Sequence, residues 1–202
     1  TMIIKRDFIY TPKGTSRPLH IYLPDNYFES EKRYPVMYFF DGHNLFFDED
    51  ATYGKSWGLK EFLDSWEKEM IVVGMECGHD GEERLSEYLP YSANKGTHFA
   101  NFEPRGDETM QWILSEVKPL IDLEYRTIPF RECTGIAGSS MGGLMALYAV
   151  AHYNRWFSKG GCVSSAIGFY MRPLMSDLRK NNISPDTRIY LSWGSREAYG
   201  AK

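Results

Sequence analysis

The sequence has 202 residues, 43% hydrophobic and 25% charged, a composition typical of one globular domain over residues 1–202 with a sizeable core. Its net charge of −4 argues against a nucleic-acid partner, which needs a basic face, and no apolar run reaches the roughly 18 residues of a membrane-spanning helix. The start lacks the apolar core of a signal peptide, and the sparse cysteines Cys77, Cys133 and Cys162 are typical of reduced thiols in a cytoplasmic protein.

Strand and helix patterns alternate along the chain. The predicted strands, in chain order, are Ile3–Tyr10, Pro18–Leu23, Tyr34–Phe40, Met70–Met75, Glu132–Ala137, Lys159–Ser164 and Arg188–Trp193. The predicted helices are Trp57–Lys68, Asp107–Leu123, Gly142–Tyr153 and Met171–Asn181. Strands separated by helices imply an α/β fold with a mostly parallel sheet, while the short turn between the first two strands allows that pair to be antiparallel. The irregular segment Glu76–Arg105 is long enough to be a lid or a wall of a site.

The stretch "GSSMG", Gly138–Gly142, matches the pattern G-x-S-x-G between a predicted strand and a predicted helix. This pattern places Ser140 on a strained turn, with glycines two residues away on both sides so that strand and helix approach closely. The N–H of Met141, at the start of the helix, would then face a developing oxyanion. A dinucleotide site needs G-x-G-x-x-G and a phosphate loop needs Gly-Lys-Ser/Thr, and neither spacing is present.

Three stretches together resemble a known family: "YPVMYFFDGHNLF", "RLSEYLP" and "GIAGSSMGGLMALYAV". They are similar to the esterase D type of α/β-hydrolase, which includes relatives of S-formylglutathione hydrolase and of feruloyl and siderophore esterases. The resemblance implies a three-layer sandwich with a mostly parallel central sheet and antiparallel N-terminal strands. It also implies Ser140 as nucleophile, with no metal and no organic cofactor.

The resemblance assigns two further roles. The loop after "YPVMYFF" would supply the second oxyanion-hole N–H, from His43 or Asn44, beside that of Met141. Glu197, in "GSRE" after the last predicted strand, stands where the family usually has an aspartate as the triad acid. A solvent-facing carboxylate is the alternative interpretation of Glu197.

The histidine that should act as base comes last in this fold, but no histidine follows His152 in the sequence. His152 lies about 18 Å along the helix from Ser140 at 1.5 Å per residue, too far to take its proton. We therefore expect this sequence to be the first three-quarters of a hydrolase, without the last strand, the base loop and the closing helix. We expect such a chain to bind esters better than it hydrolyses them.

Further residues are candidates for the walls of the site. Ser164, Ser165 and Phe169 leave a strand on the side where α/β proteins bind ligands, and are predicted to line the substrate pocket. Trp57 is a fourth candidate wall residue, with a place in the core as the alternative. Arg84, Glu87 and Tyr88 are expected to brace the loop after the fourth strand through an ion pair, with contact to the substrate as the alternative.

The sequence thus predicts a serine hydrolase of carboxylesterase or thioesterase type that cleaves a small-molecule ester through an acyl-enzyme on Ser140. Two alternatives stay open: a non-catalytic binding protein with the hydrolase fold, and an acyltransferase on the same scaffold. Association into a homo-oligomer also stays open, and the fold alone does not identify the substrate.

Overall fold

The computed structural model describes residues 2–93 and 98–197, and its centre is a seven-stranded sheet. The strands of this sheet are β1 (Met2–Arg6), β4 (Leu19–Leu23), β5 (Val36–Phe40), β6 (Ile71–Met75), β7 (Thr134–Ser139), β8 (Lys159–Val163) and β9 (Arg188–Ser192). Their order across the sheet is β1–β4–β6–β5–β7–β8–β9. The pairs β1/β4 and β4/β6 are antiparallel, and the remaining pairs are parallel. The predicted mostly parallel sheet with antiparallel N-terminal strands is confirmed.

Six α-helices cover the sheet in the described part of the chain. They are α1 (Leu59–Ser65), α2 (Glu83–Glu87), α3 (Gly106–Trp112), α4 (Lys118–Glu124), α5 (Met141–His152) and α6 (Met171–Lys180). Leu63 of α1 packs on one face of the sheet, in a small cluster with Leu45 and Phe46. Residues of α3 to α6 belong to the larger cluster on the opposite face. This arrangement is the expected three-layer sandwich.

The strand sequences explain why both faces are covered. Side chains alternate between the faces of a strand, and in β6 Val72 joins the smaller cluster while Val73 joins the larger one. All five residues of β6 are buried, as expected for a strand with helices on both sides. None of the helices within the described ranges is long and apolar enough to cross a bilayer.

The first predicted strand, Ile3–Tyr10, is divided in the structure. Its first part is β1, and its last two residues form β2 (Ile9–Tyr10), which pairs with β3 (Thr15–Ser16) in a separate two-stranded ribbon. The ribbon precedes β4, so the chain still returns antiparallel to β1 as predicted.

The predicted helix Asp107–Leu123 is interrupted by a wider turn. Residues Ile113–Val117 form a π-helical segment between α3 and α4, and Pro119 stands in the first turn of α4. Proline has no N–H to donate and its ring collides with the carbonyl four residues earlier. The wider turn just before Pro119 fits that steric demand, since π-helical turns occur as single insertions inside α-helices.

Other predicted boundaries shift by a few residues. The predicted helix Trp57–Lys68 is shorter because Gly58 adopts a left-handed conformation, with φ of 63°, immediately before α1 begins. The predicted strand Glu132–Ala137 begins later, because a 3-10 turn occupies Arg131–Cys133. The segment Glu76–Arg105 is less irregular than expected, since it contains α2.

Candidate active site

Ser140 lies between β7 and α5 with a backbone that serine rarely adopts. Its φ is 56° and its ψ is −119°, and its side chain is exposed. The carbonyl of Ser140 accepts hydrogen bonds from the N–H groups of Leu144 and Ala166, at 3.1 and 3.0 Å, while its own N–H donates to Val163 at 3.0 Å. These bonds hold the turn in a conformation whose cost is on the order of 1–3 kcal/mol.

The positions of Gly138 and Gly142, on either side of Ser140, leave little or no room for a side chain. A Cβ on Gly138 would stand 2.6 Å from the main-chain carbon of Gly142. A Cβ on Gly142 would stand 3.1 Å from Cβ of Phe40 and 3.3 Å from a carboxylate oxygen of Asp41. The start of α5 therefore lies against the end of β5, as the motif requires.

Met141 is the first residue of α5 and is buried. The N–H at this position has no carbonyl within the helix to which it could donate. It is also at the positive end of the helix, where backbone N–H groups favour an anion. The N–H of Met141 is thus suited to the oxyanion role that the sequence analysis assigned to it.

The loop after β5 contains the two other predicted oxyanion donors. Asp41 adopts a left-handed conformation, with φ of 57°, and Gly42–Asn44 form a 3-10 turn. The N–H of Asn44 donates to the carbonyl of Asp41 at 3.0 Å. Because that bond occupies the N–H of Asn44, His43 is the more suitable of the two predicted donors.

A partly buried ion pair anchors this loop. Arg84 of α2 donates two hydrogen bonds, of 2.8 and 2.7 Å, to the carboxylate of Asp41, and the N–H of Asp41 donates to the hydroxyl oxygen of Tyr88 at 3.1 Å. Burial alone would lower the pKa of Arg84, but its hydrogen bonds to Asp41 and the charge of Asp41 outweigh it and raise that pKa above its ordinary value. Glu87 pairs with Arg17 and accepts from the N–H of Gly78 at 2.9 Å.

The predicted bracing role of Arg84, Glu87 and Tyr88 thus extends further than expected. They hold the loop after β5 as well as the loop after β6. The strands β5 and β6 are parallel neighbours, so both loops leave the same edge of the sheet.

The ends of β8 and β9 bring Glu197 to this edge of the sheet. Val163 is paired with Ser139 on one side and with Ser192 on the other. Ser164, which follows β8, has a φ of 44° and donates from its hydroxyl to the carboxylate of Glu197 at 3.0 Å. The exposed carboxylate of Glu197 is therefore hydrogen-bonded to the residue that follows β8, the strand paired with β7.

The other predicted wall residues have different surroundings. Ser165 is buried against Gly143, and its hydroxyl has no hydrogen-bond partner among the described residues. Phe169 is 46% exposed and packs edge-on against Phe99. Trp57 is 43% exposed, packs edge-on against Phe39 of β5, and its main-chain N–H donates to the carbonyl of Asn44 at 2.9 Å.

Four histidine side chains are described, and each contacts groups other than Ser140. His20 and His79 both bond to the carboxylate of Glu76, at 2.6 and 2.8 Å. His43 bonds to the hydroxyl of Thr52 at 2.9 Å. His152, at the end of α5, stacks on the ring of Tyr148.

Comparison with known proteins identifies the family of the chain. The family model "Putative esterase" matches residues 12–201. YbbA, an uncharacterized protein of Bacillus subtilis, is 26% identical over 92% of this chain and 70% of its own length. The esterase Rv1288 of Mycobacterium tuberculosis is 30% identical over 72% of this chain, which spans 28% of that protein.

Solved structures support the fold. An IroE-like serine hydrolase from Shewanella oneidensis superposes with a TM-score of 0.74 at 22% identity, over 94% of this chain and 60% of its own. At this identity the likeness concerns the fold, which is that of an α/β-hydrolase. Since the esterase model covers nearly the whole sequence and the strand–turn–helix around Ser140 has the geometry that the sequence predicted, the chain belongs to this esterase family.

Proposed function

We propose that the chain is a serine ester hydrolase of the esterase D type, acting on a small-molecule carboxylic ester or thioester. The observation that carries the proposal is the exposed Ser140, held on a strained turn at the start of α5 in a chain of the esterase family. The proposal includes no nucleic-acid or membrane partner and needs no metal or organic cofactor for ester cleavage. A cytoplasmic location remains a prediction from the cysteine usage.

In the proposed reaction, Oγ of Ser140 attacks the ester carbonyl carbon and its proton passes to a general base. The main-chain N–H groups of Met141 and His43 stabilise the negative oxygen of the tetrahedral intermediate. Losing one such donor costs about 2.7–4 kcal/mol of barrier in comparable sites. The proton then goes to the leaving alcohol or thiol, and water releases the acyl group from Ser140.

Glu197 is proposed to orient the base, which in this mechanism is a histidine. No hydrogen bond within the described residues joins a histidine to Ser140 or Glu197. Because His20, His43, His79 and His152 have the other partners given above, the proposal assigns the base to none of them.

The lack of a hydrogen bond from any described histidine to Ser140 favours a second candidate function. A protein with the elbow but without a base beside Ser140 would bind an ester without cleaving it. The third alternative, acyl transfer, would use the same acyl-enzyme but pass the acyl group to an alcohol. All three share a binding site at the carboxyl edge of the sheet, and covalent chemistry at Ser140 separates them.

The test is active-site labelling of the full-length protein with a fluorophosphonate, with the modified residue located by peptide mass spectrometry. We expect modification of Ser140 and none in the Ser140→Ala variant. Ser139→Ala is the matched control, since Ser139 is the neighbouring hydroxyl and should leave labelling unchanged.

The labelled protein and the Ser140→Ala variant should both fail to hydrolyse a p-nitrophenyl ester. A protein that binds the ester but is neither labelled nor acylated would be a binding module. If added methanol captures most of the acyl group as methyl ester even though water is in excess, the enzyme is an acyltransferase. Labelling that persists in Ser140→Ala would contradict the proposed nucleophile.

A further inference from the structure

A second group of reactive side chains lies outside the ester chemistry. His43 follows β5, while Cys77 and His79 follow β6, and these two strands are parallel neighbours with Phe40 opposite Met75. One nitrogen of each histidine and Sγ of Cys77 all lie within 4.8 Å of one another. The two imidazole rings meet edge to face, with their centres 4.7 Å apart.

One ring nitrogen of each histidine already has a hydrogen-bond partner. Nε2 of His43 is hydrogen-bonded to the hydroxyl of Thr52 at 2.9 Å, and Nε2 of His79 to the carboxylate of Glu76 at 2.8 Å. These bonds leave Nδ1 of each ring for another partner. Metal-ligating histidines commonly have such an outer hydrogen bond, which fixes the ring and its tautomer.

The free nitrogen of His43 is the strongest sign that a ligand is involved. The residue is 6% exposed, and its Nδ1 is buried with no hydrogen-bond partner among the described residues. A buried polar atom without a partner costs on the order of 1–3 kcal/mol. A cation bound by Nδ1 would remove that cost.

The charges and ligand types point to one class of cation. The carboxylates of Asp41 and Glu76 lie near His43 and favour a positive charge there, and the guanidinium of Arg84, paired with Asp41, offsets part of this effect near Cys77. One thiolate with two imidazole nitrogens is a donor set that suits zinc, with the fourth position open. Zinc binding would require Cys77 to lose its proton, which a coordinating metal achieves.

The distances require a small adjustment. Ligand atoms on a zinc tetrahedron are about 3.5 Å apart, given bond lengths of roughly 2.0–2.3 Å, so the present spread must contract by roughly 1 Å. The side chain of His79 is 54% exposed and stands in a loop, so it can make most of this movement. His43 and Cys77 are buried and already fixed.

We propose that His43, Cys77 and His79 form a zinc-binding site that links the loop after β5 to the loop after β6. Ester cleavage by Ser140 does not need this metal, so the proposal stands independently of the proposed function. Bound zinc would hold the loop that carries the N–H of His43 and so stabilise the folded protein.

The test is zinc titration of the full-length protein after treatment with a chelator, followed by competition with a chromophoric chelator. We expect one zinc ion per chain and a higher melting temperature with zinc. With Co²⁺ in place of zinc, we expect the charge-transfer absorption of a thiolate ligand. The Ser140→Ala variant should bind equally well, which separates this result from the catalytic test.

Variants locate the site. His79→Asn should weaken zinc binding at least tenfold, and its exposed position makes correct folding the expectation. Cys77→Ser should remove the cobalt–thiolate band, and Glu76→Gln should weaken binding through the outer hydrogen bond by about 10–100-fold. The matched controls His152→Asn and Cys133→Ser should bind zinc as the unchanged protein does. Zinc affinity that is absent, or equal in His79→Asn and the unchanged protein, would overturn the proposal.

Discussion

Ser140 has an unfavourable conformation in the most exposed part of the elbow. A positive φ places Cβ of an L-residue against its own backbone, and only glycine adopts it without cost. The surrounding bonds to Leu144, Ala166 and Val163 fix the main chain on both sides, so the strain cannot relax by rotation of the turn. The hydroxyl is thereby presented outward at the expense of stability, as at other sites where strain serves function.

This strain predicts different effects for two substitutions that both remove the hydroxyl. Ser140→Gly should raise the free energy of unfolding by about 1 kcal/mol relative to Ser140→Ala, because glycine relieves the strain and loses part of that gain to its more flexible unfolded chain. Urea denaturation of the two variants measures the difference. The matched pair Ser139→Gly and Ser139→Ala should show the opposite order, since Ser139 is a strand residue. Equal stability of Ser140→Gly and Ser140→Ala would mean that the turn is not strained.

At the scale of the element, the sequence predicted the strands and helices whose formation depends on residues that are close together in the chain. The buried strand β5 and the helix α5 were recognisable because their apolar runs are continuous. The elbow was recognisable because its glycines and serine are adjacent in the chain. The predicted helix boundaries were wrong where the backbone conformation of a single residue ends or interrupts a helix. This is the case at Gly58, and at Pro119 with the π-helical turn before it.

The cluster of His43, Cys77 and His79 could not be predicted from the sequence, for a different reason. Its members come together only because β6 lies between β4 and β5 in the sheet, an order that no local pattern encodes. The same holds for the pairing of Arg84 with Asp41, which joins α2 to the loop after β5. Local motifs therefore located the strained turn at Ser140, and the strand order decided what surrounds it.

A buried side chain, Asn154, helps to hold the last strand, in addition to the ladder between β8 and β9 and the bonds from Arg131. Asn154, just after α5, donates to the carbonyl of Val150 at 3.1 Å and to the hydroxyl of Thr187 at 3.0 Å, and its oxygen accepts from the N–H of Ser184 at 3.0 Å. Asn154 is 7% exposed, so water does not readily replace these bonds. It ties the segment before β9 to the end of α5.

Removing this side chain should loosen β9 more than the rest of the sheet. Asn154→Ala leaves the N–H of Ser184 without its partner and removes one of two side-chain bonds to the hydroxyl of Thr187, which keeps the bond from Arg131 at 2.9 Å. Each lost bond costs about 0.5–1.5 kcal/mol. Hydrogen exchange followed by mass spectrometry should show at least tenfold faster exchange in Arg188–Ser192, with β5 and β6 unchanged. Asn181→Ala is the control, since the side-chain nitrogen of Asn181 has no partner among the described residues. Uniformly faster exchange would show that Asn154 stabilises the whole domain instead.

At the scale of the whole molecule, the two edges of the sheet differ. The edge strand β1 has two exposed residues among five, whereas four of the five residues of β9 are exposed, including Ile189, Tyr190 and Leu191. Within the described residues, β9 has β8 as its only neighbour in the sheet. An exposed, apolar edge strand favours pairing with another chain.

We therefore expect the 202-residue chain to self-associate through β9 as its concentration rises. Tyr190→Lys should reduce this association, because an edge lysine would place like charges together where two strands pair. Sedimentation velocity over a range of concentrations gives the average mass for each variant. Tyr53→Lys is the matched control, since Tyr53 is 94% exposed but lies in a turn outside the strands. If both variants associate as the unchanged chain does, the contact lies elsewhere; if only Tyr190→Lys stays monomeric, β9 is the surface that another copy covers.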